Sequence, residues 1–223
     1  VATTRRKLVD CLSVSGMKRR LGRPCQSDAG DTRQRILTEA RRAFTTRGYD
    51  NTTNREIAAG AGITAAAIYH YFPSKVDLYV AVFASVQVKV FEAFDAAVAS
   101  RRTFLEQFDA IFDAMCDLGD HDPMLASFVV GVITEASHHP ELRKALAKLP
   151  PRQELFLSGL CTTAKERGEL PESLRVQSAV DAMSGVIAGF SRLAVTVRDR
   201  ERLLDVAMVY KSMARSALSR VVA

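Results

Sequence analysis

Residues 53–75 read TNREIAAGAGITAAAIYHYFPSK. Thr53 with Glu56 three positions later forms a capping box, and Ile57, Ala58 and Ala61 place apolar groups on one side of a short helix that Gly62 ends. Thr64 can cap a second short helix whose packing residues are Ala67, Ile68 and Phe72, and Pro73 forces Phe72 out of the helical region. Two short helices joined by a glycine turn, with the small Ala58 at the crossing and Ile68 as the plug, predict a helix-turn-helix; an ordinary helical hairpin is the plainer alternative. Arg55 and Lys75 each fall in the first turn of a helix, where the macrodipole disfavours a cation by a few tenths of a kcal/mol up to about 1. Folding gains little from them there, whereas a phosphate meets free N–H groups and an added cation together.

Working outward, Asp31 with Gln34 starts an earlier helix over about 32–47. It carries a stripe of Ile36, Leu37, Ala40, Ala43 and Phe44, and Gly48 closes it. Ser74 with Asp77 opens a long helix to roughly residue 99, with Val76, Val80, Phe83, Val90 and Phe94 on its apolar side. Beyond it, the breakers Pro123, Pro140, Gly168 and Pro171 predict helices over about 102–118, 122–137, 141–167, 174–196 and 200–220. The LPPRQ stretch at 149–153 is a candidate break that moves the start of the third beyond Pro151. Strand alternation is absent, so the chain reads as all-α. Three parts are expected: a flexible basic arm (1–30), a three-helix helix-turn-helix domain (31–78) and a helical effector-binding and dimerisation domain (79–223).

Charge divides the chain in the same place. Residues 1–80 hold 14 Lys and Arg against 7 Asp and Glu, while the remainder holds 17 against 18. A basic end on a neutral body predicts a polyanion partner, nucleic acid ahead of a membrane surface. With 48% hydrophobic and 25% charged residues and no uninterrupted apolar run of membrane-spanning length, the expected location is the cytoplasm. Met17 is a candidate natural start. Cys11, Cys25, Cys116 and Cys161 lie too far apart for a metal knuckle, and reduced thiols are expected, with no metal and no cofactor.

Residues 32–83, roughly a quarter of the chain, resemble the DNA-binding domain of TetR-type transcriptional regulators through G-Y, T-T, E-I-A, A-G-I and Y-H-Y-F-P-S-K-x-x-L in order and spacing. The resemblance implies that the third helix enters the major groove of an operator duplex. By position, Thr64, Ala65 and Ala66 then face base edges, Tyr69 and His70 lie at the groove margin, and Asn54, Arg55 and Lys75 hold the backbone. Tyr71 is ambiguous and Phe72 belongs to the core. Ala65, Ala66 and Ala67 stand where the family often has polar or basic residues, so the helix offers few bidentate hydrogen bonds to bases. Thymine methyl contacts, Thr64 and DNA shape are left as sources of specificity. The arm is another source: RRLGRP at 19–24, with Arg20 and Arg23, resembles an AT-hook core except for Leu21, and nonspecific phosphate attraction is the alternative.

The body carries weaker signals. Phe104, Phe108, Phe112, Met115, Met124 and Phe128 are the candidate ligand pocket, read first as core. Ala182, Gly185 and Gly189 on one helix, with Leu203, Ala207, Tyr210 and Ala214 on the next, are the candidate dimer faces, for which the resemblance implies a four-helix homodimer interface; packing within one chain is the alternative. The resemblance also implies a small apolar effector, and hence a repressor released from its operator by that molecule. Two other readings are weighed beside it. One is an effector-independent architectural DNA-binding protein. The other, a helical-bundle metalloenzyme, rests on the single E-x-x-H of Glu135 and His138, which lacks the second pair such a site needs; the chain is therefore expected not to be an enzyme. His138 and His139 are expected to be solvated.

Overall fold

The computed structural model describes residues 26–197 and 199–219. These form ten helices, and no strand occurs among the described residues. Helix α1 (Gln26–Arg47) begins six residues ahead of its expected start, so residues 26–30 belong to the helix rather than to the arm. Helices α2 (Asn54–Gly60) and α3 (Ala65–Tyr71) follow, then α4 (Lys75–Val98), the longest at 24 residues. The body comprises α5 (Phe104–His121), α6 (Met124–His138), α7 (Pro140–Leu146), α8 (Arg152–Glu166), α9 (Val176–Thr196) and α10 (Arg200–Ser219). The single helix expected over 141–167 is thus two, broken where Pro150 and Pro151 remove successive backbone donors.

Local signals explain the short helices. Thr53 accepts from the Glu56 N–H and its own N–H donates to the Glu56 carboxylate, the reciprocal pair expected of the capping box. Gly62 turns the chain at φ 69°, a conformation a side chain would strain. Gly48 does the same at φ 78° after α1, and a Cβ there would approach the Glu135 Oε1 to 3.2 Å.

Two cores result. The first joins Ile36, Phe44, Ile57, Ala58 and Ile68 of the head to Leu125, Phe128 and Leu142 of α6 and α7. Tyr79, 2% exposed, is its centre: the ring meets Phe44 edge-on at 4.9 Å, Tyr49 at 5.4 Å and Phe128 at 5.5 Å. The stripe read for α4 is accordingly rotated. Leu78, Tyr79, Val82 and Val86 are buried, whereas Val76, Val80 and Phe83 are only partly so. The second core packs Phe91 and Phe94 against α5, α8, α9 and α10.

That second core reassigns part of the expected dimer surface. Ala207 is 3% exposed, and Tyr210 stacks on Phe112 at 5.6 Å with Ala214 packed beside it, so these three face their own chain. Gly189 lies under the Tyr210 hydroxyl, 3.7 Å from where a Cβ would sit, and Leu203 is partly buried. Ala182 and Gly185 remain exposed. The spacing finds an apolar stripe but not what covers it, and the stripe bearing Tyr210 buries the larger aromatic area inward.

Polar groups tie the head to the body. Asp122, between α5 and α6, accepts Arg41 Nη1 from α1 at 2.6 Å and Lys89 Nζ from α4 at 2.8 Å on one carboxylate oxygen. Glu135 in α6 accepts the Tyr49 N–H at 2.9 Å. Helix α9 is long and apolar enough to cross a membrane by length and composition. Here it packs as a body helix through Ala179, Val180, Met183 and Phe190.

Candidate nucleic-acid interface

Helix α3 has two distinct sides. Ile68 and Phe72 are buried beneath it, and the Arg33 guanidinium lies 5.3 Å above the Phe72 ring. The opposite side exposes Thr64, Ala65, Ala66, Tyr69 and His70 together, with Tyr71 half-buried at the edge. Tyr69 is 55% exposed, an unusual state for so large an apolar ring on a helix whose other face is packed. Thr64 holds the start of α3 by accepting the Ala67 N–H at 3.2 Å.

The flanking cations sit differently from one another. Lys75 Nζ lies 4.3 Å from the Tyr49 ring centroid and donates to the Asp50 carbonyl at 3.3 Å, at the first residue of α4. Burial pulls its ammonium below the usual lysine range, against the pull of Asp50 and Glu135. Arg55 is exposed and makes no ion pair or hydrogen bond with the described residues. Asn54 is partly buried, and its Oδ1 has no hydrogen-bond partner among them. At the start of α2 the Glu56 carboxylate is held below the ordinary range by the Thr53 N–H and hydroxyl, so part of that helix terminus is already satisfied internally. The start of α4 is similar: Ser74 accepts the Asp77 N–H at 3.1 Å and donates to the Asp77 carboxylate at 2.7 Å. Arg20 and Arg23 lie outside the described residues.

His139 is not solvated. Its ring lies 4.9 Å from Tyr49, with Nε2 3.4 Å from Asp50 and 3.6 Å from Glu135, and Nδ1 3.3 Å from Glu141. Glu135 therefore serves the joint between head and body, while His138 is exposed. Burial pushes the Cys161 thiol up to about 11, and its sulfur contacts Met183 Sδ at 3.6 Å.

In the body, a narrow apolar cavity of about 120 Å³ lies among α4, α5, α6, α8 and α9. It adjoins a wider, open one of about 410 Å³ and shares Met115, Gly119, Ala126, Phe190 and Ala194 with it. Of the six residues read as pocket lining, Met115 alone borders either space. Phe104, Phe108 and Phe112 are buried in the second core, Phe128 in the first, and Met124 is partly buried away from the lining. Sequence reasoning missed Phe91, Phe190, Gln87 and Gln153. The two phenylalanines had a helical apolar spacing to betray them, but the glutamines had no signal at all.

Residues 36–82 match the family model described as bacterial regulatory proteins, tetR family. The chain is 26% identical over 190 residues to the HTH-type transcriptional regulator SrpR of Pseudomonas putida, covering 84% of this chain and 87% of that protein. It is 31% identical over 108 residues to the HTH-type transcriptional regulator TtgW, also of Pseudomonas putida, covering 48% of this chain and 77% of that one. Its fold is similar to the crystal structure of the transcriptional regulator FadR from Bacillus subtilis in complex with stearoyl-CoA, with a TM-score of 0.67 and 22% identity over 85% of this chain and 97% of the other. With the matched residues coinciding with the outward-facing α3 and its supports, the chain belongs to the TetR family and is a DNA-binding transcriptional regulator.

Proposed function

We propose that the protein is a homodimeric repressor whose two α3 helices lie in successive major grooves of a near-palindromic operator, and that a small molecule held in the body releases it. The observation that carries this reading is the span of α4. Its first residue, Lys75, belongs to the candidate DNA face, and three turns later Val86, Gln87 and Val90 line the body cavity. One rigid helix thus meets both sites, and a molecule that favours one tilt of α4 favours one separation of the heads. Thr64, Ala65, Ala66, Tyr69 and His70 would meet the groove, and Asn54, Arg55 and Lys75 the phosphates. A relative of the same fold was crystallised with stearoyl-CoA, which supports a body that admits an apolar chain.

Dimerisation is supported by apolar surface left uncovered. Met208, Val209 and Met213 on α10 are each more than half exposed, and they accompany the small exposed residues Ala182 and Gly185 of α9. A head with an alanine reading face binds weakly alone, and two heads on one body gain by avidity.

Selection of bound duplexes from a random pool, repeated with candidate metabolites, tests the reading. An enriched inverted repeat whose affinity falls on adding a metabolite is the expected result. An enriched site indifferent to every metabolite would favour an effector-independent regulator, and an absence of salt-sensitive DNA binding would overturn the whole.

A further inference from the structure

The narrow cavity has no Lys, Arg, His, Asp or Glu in its lining. Its polar side chains are Gln87, Gln153 and Ser191, and none of them has a hydrogen-bond partner among the described residues. Phe83, Phe91, Phe94 and Phe190 supply much of the remaining wall.

We propose that the effector is an uncharged, slender amphipathic molecule whose apolar part occupies this cavity and whose neutral polar group is met by the Gln87 and Gln153 amides. The proposal rests on the reading of the body as an effector-binding domain and names the chemistry of its ligand. Each amide offers both a donor and an acceptor, which suits a hydroxyl, ester or amide. A carboxylate or ammonium placed there would lose its hydration with no counter-charge, a cost that weakens binding severely.

Neither mouth of the cavity supplies the missing charge. Toward the wider space, Arg200 is the nearest cation, and its guanidinium is occupied by Asp120, with Nε at 3.0 and 2.8 Å from the two oxygens and Nη2 at 2.7 Å from one. Toward the other side, Gln87 and Gln153 border an open groove in which Arg152 stands with Glu154 and Asp181. A charged head would therefore have to break an existing pair or sit in a field of mixed sign.

The test is competition for the full-length protein by octan-1-ol, octanoate and octylammonium at neutral pH, read by displacement of N-phenyl-1-naphthylamine and by thermal shift. Octan-1-ol is expected to compete at a concentration about tenfold or more below either ion, equivalent to about 1.4 kcal/mol. Equal or tighter binding of octanoate or octylammonium, or no binding of octan-1-ol by either readout, would overturn the proposal. Gly119→Leu and Ala194→Leu locate the site, since both positions line the cavity and a Cβ on Gly119 meets open space. Each variant that retains its melting transition should weaken octan-1-ol about fivefold or more. If neither does, the ligand sits elsewhere and the assignment of the body cavity fails, whereas cavity-dependent binding with the wrong charge ranking sinks only the ligand class.

Discussion

The Lys75 ammonium rests 4.3 Å from the centroid of the Tyr49 ring, and the same ring is packed by His139 from the body. A lysine at a helix start is ordinarily a flexible chain whose ordering on DNA costs side-chain entropy. Here the ring and the Asp50 carbonyl place the charge before any ligand arrives. Lys75→Ala is expected to weaken binding to all duplexes alike and to reduce the slope of log affinity against log salt by about 1. Tyr49→Leu, which keeps the lysine but removes the ring beneath it, should weaken binding about two- to fivefold with the salt slope kept, consistent with a cation–π contribution of about 0.5–1 kcal/mol. Fluorescence anisotropy across a salt series measures both, and an unchanged affinity for Lys75→Ala would remove that residue from the interface.

Asp122 makes the second joint, and it is expected to fail in acid. Burial alone would raise its carboxyl, but hydrogen bonds from Arg41 and Lys89 outweigh this and hold it below the ordinary aspartate value. A carboxyl lowered in the folded state stabilises the protein fully above its unfolded pKa of about 3.9, and that contribution is lost as the pH falls through the folded value. Asp122→Asn should therefore cost about 1–3 kcal/mol at neutral pH, since two cations lose their partner at a joint that is not wholly dry. The difference from the wild type in urea unfolding should shrink below about pH 4. A difference independent of pH would mean that packing rather than charge accounts for the loss.

How much of this was legible in the sequence depends on the kind of signal. The caps at Thr53, Thr64 and Ser74 and the turn glycines act within a few residues, so α2, α3 and the start of α4 could be read directly, and with them the outward set on α3. The start of α1 at Gln26 was missed because Asp31 imitates a cap from inside a longer helix. Asp122 and Tyr79 were missed for another reason: each matters through partners far along the chain, and one sequence has no term that pairs Arg41 with residue 122 or Phe128 with residue 79. The same limit misplaced the cavity. Phe104, Phe108 and Phe112 do share a face, but whether that face meets another helix or an opening is decided by α9 and α10.

Tyr79 offers a direct measure of how far head and body fold as one. It contacts Phe44 and Tyr49 on one side and Phe128 on the other, in a single continuous core. Tyr79→Ala should cost about 3–5 kcal/mol, the range for emptying a large buried aromatic site. If the shared core is what couples the two parts, the variant should also split urea unfolding into separate transitions when tyrosine fluorescence and far-ultraviolet circular dichroism are compared. Coincident curves with the full loss of stability would instead place the coupling in the Asp122 and Glu135 joints.

The exposed methionines of α10 give the sharpest separation between the faces of that helix. Tyr210 and Ala207 are turned inward against Phe112 and Phe190, whereas Met208, Val209 and Met213 lie outside, with Met213 62% exposed. Water would have to cover this strip in a monomer, and a second copy would remove it at a gain of roughly 25 cal/mol per Å². Met213→Glu introduces a charge at its centre without disturbing the inner face, so the folded chain should be retained while association is lost. Sedimentation velocity is expected to show the wild type as a dimer and the variant as a monomer, and the melting temperature of the wild type alone should rise with protein concentration. Gly185→Leu on α9 should act in the same direction through bulk rather than charge. A dimer that survives both changes would put the interface on another surface, and it would leave the apolar strip of α10 to some other partner.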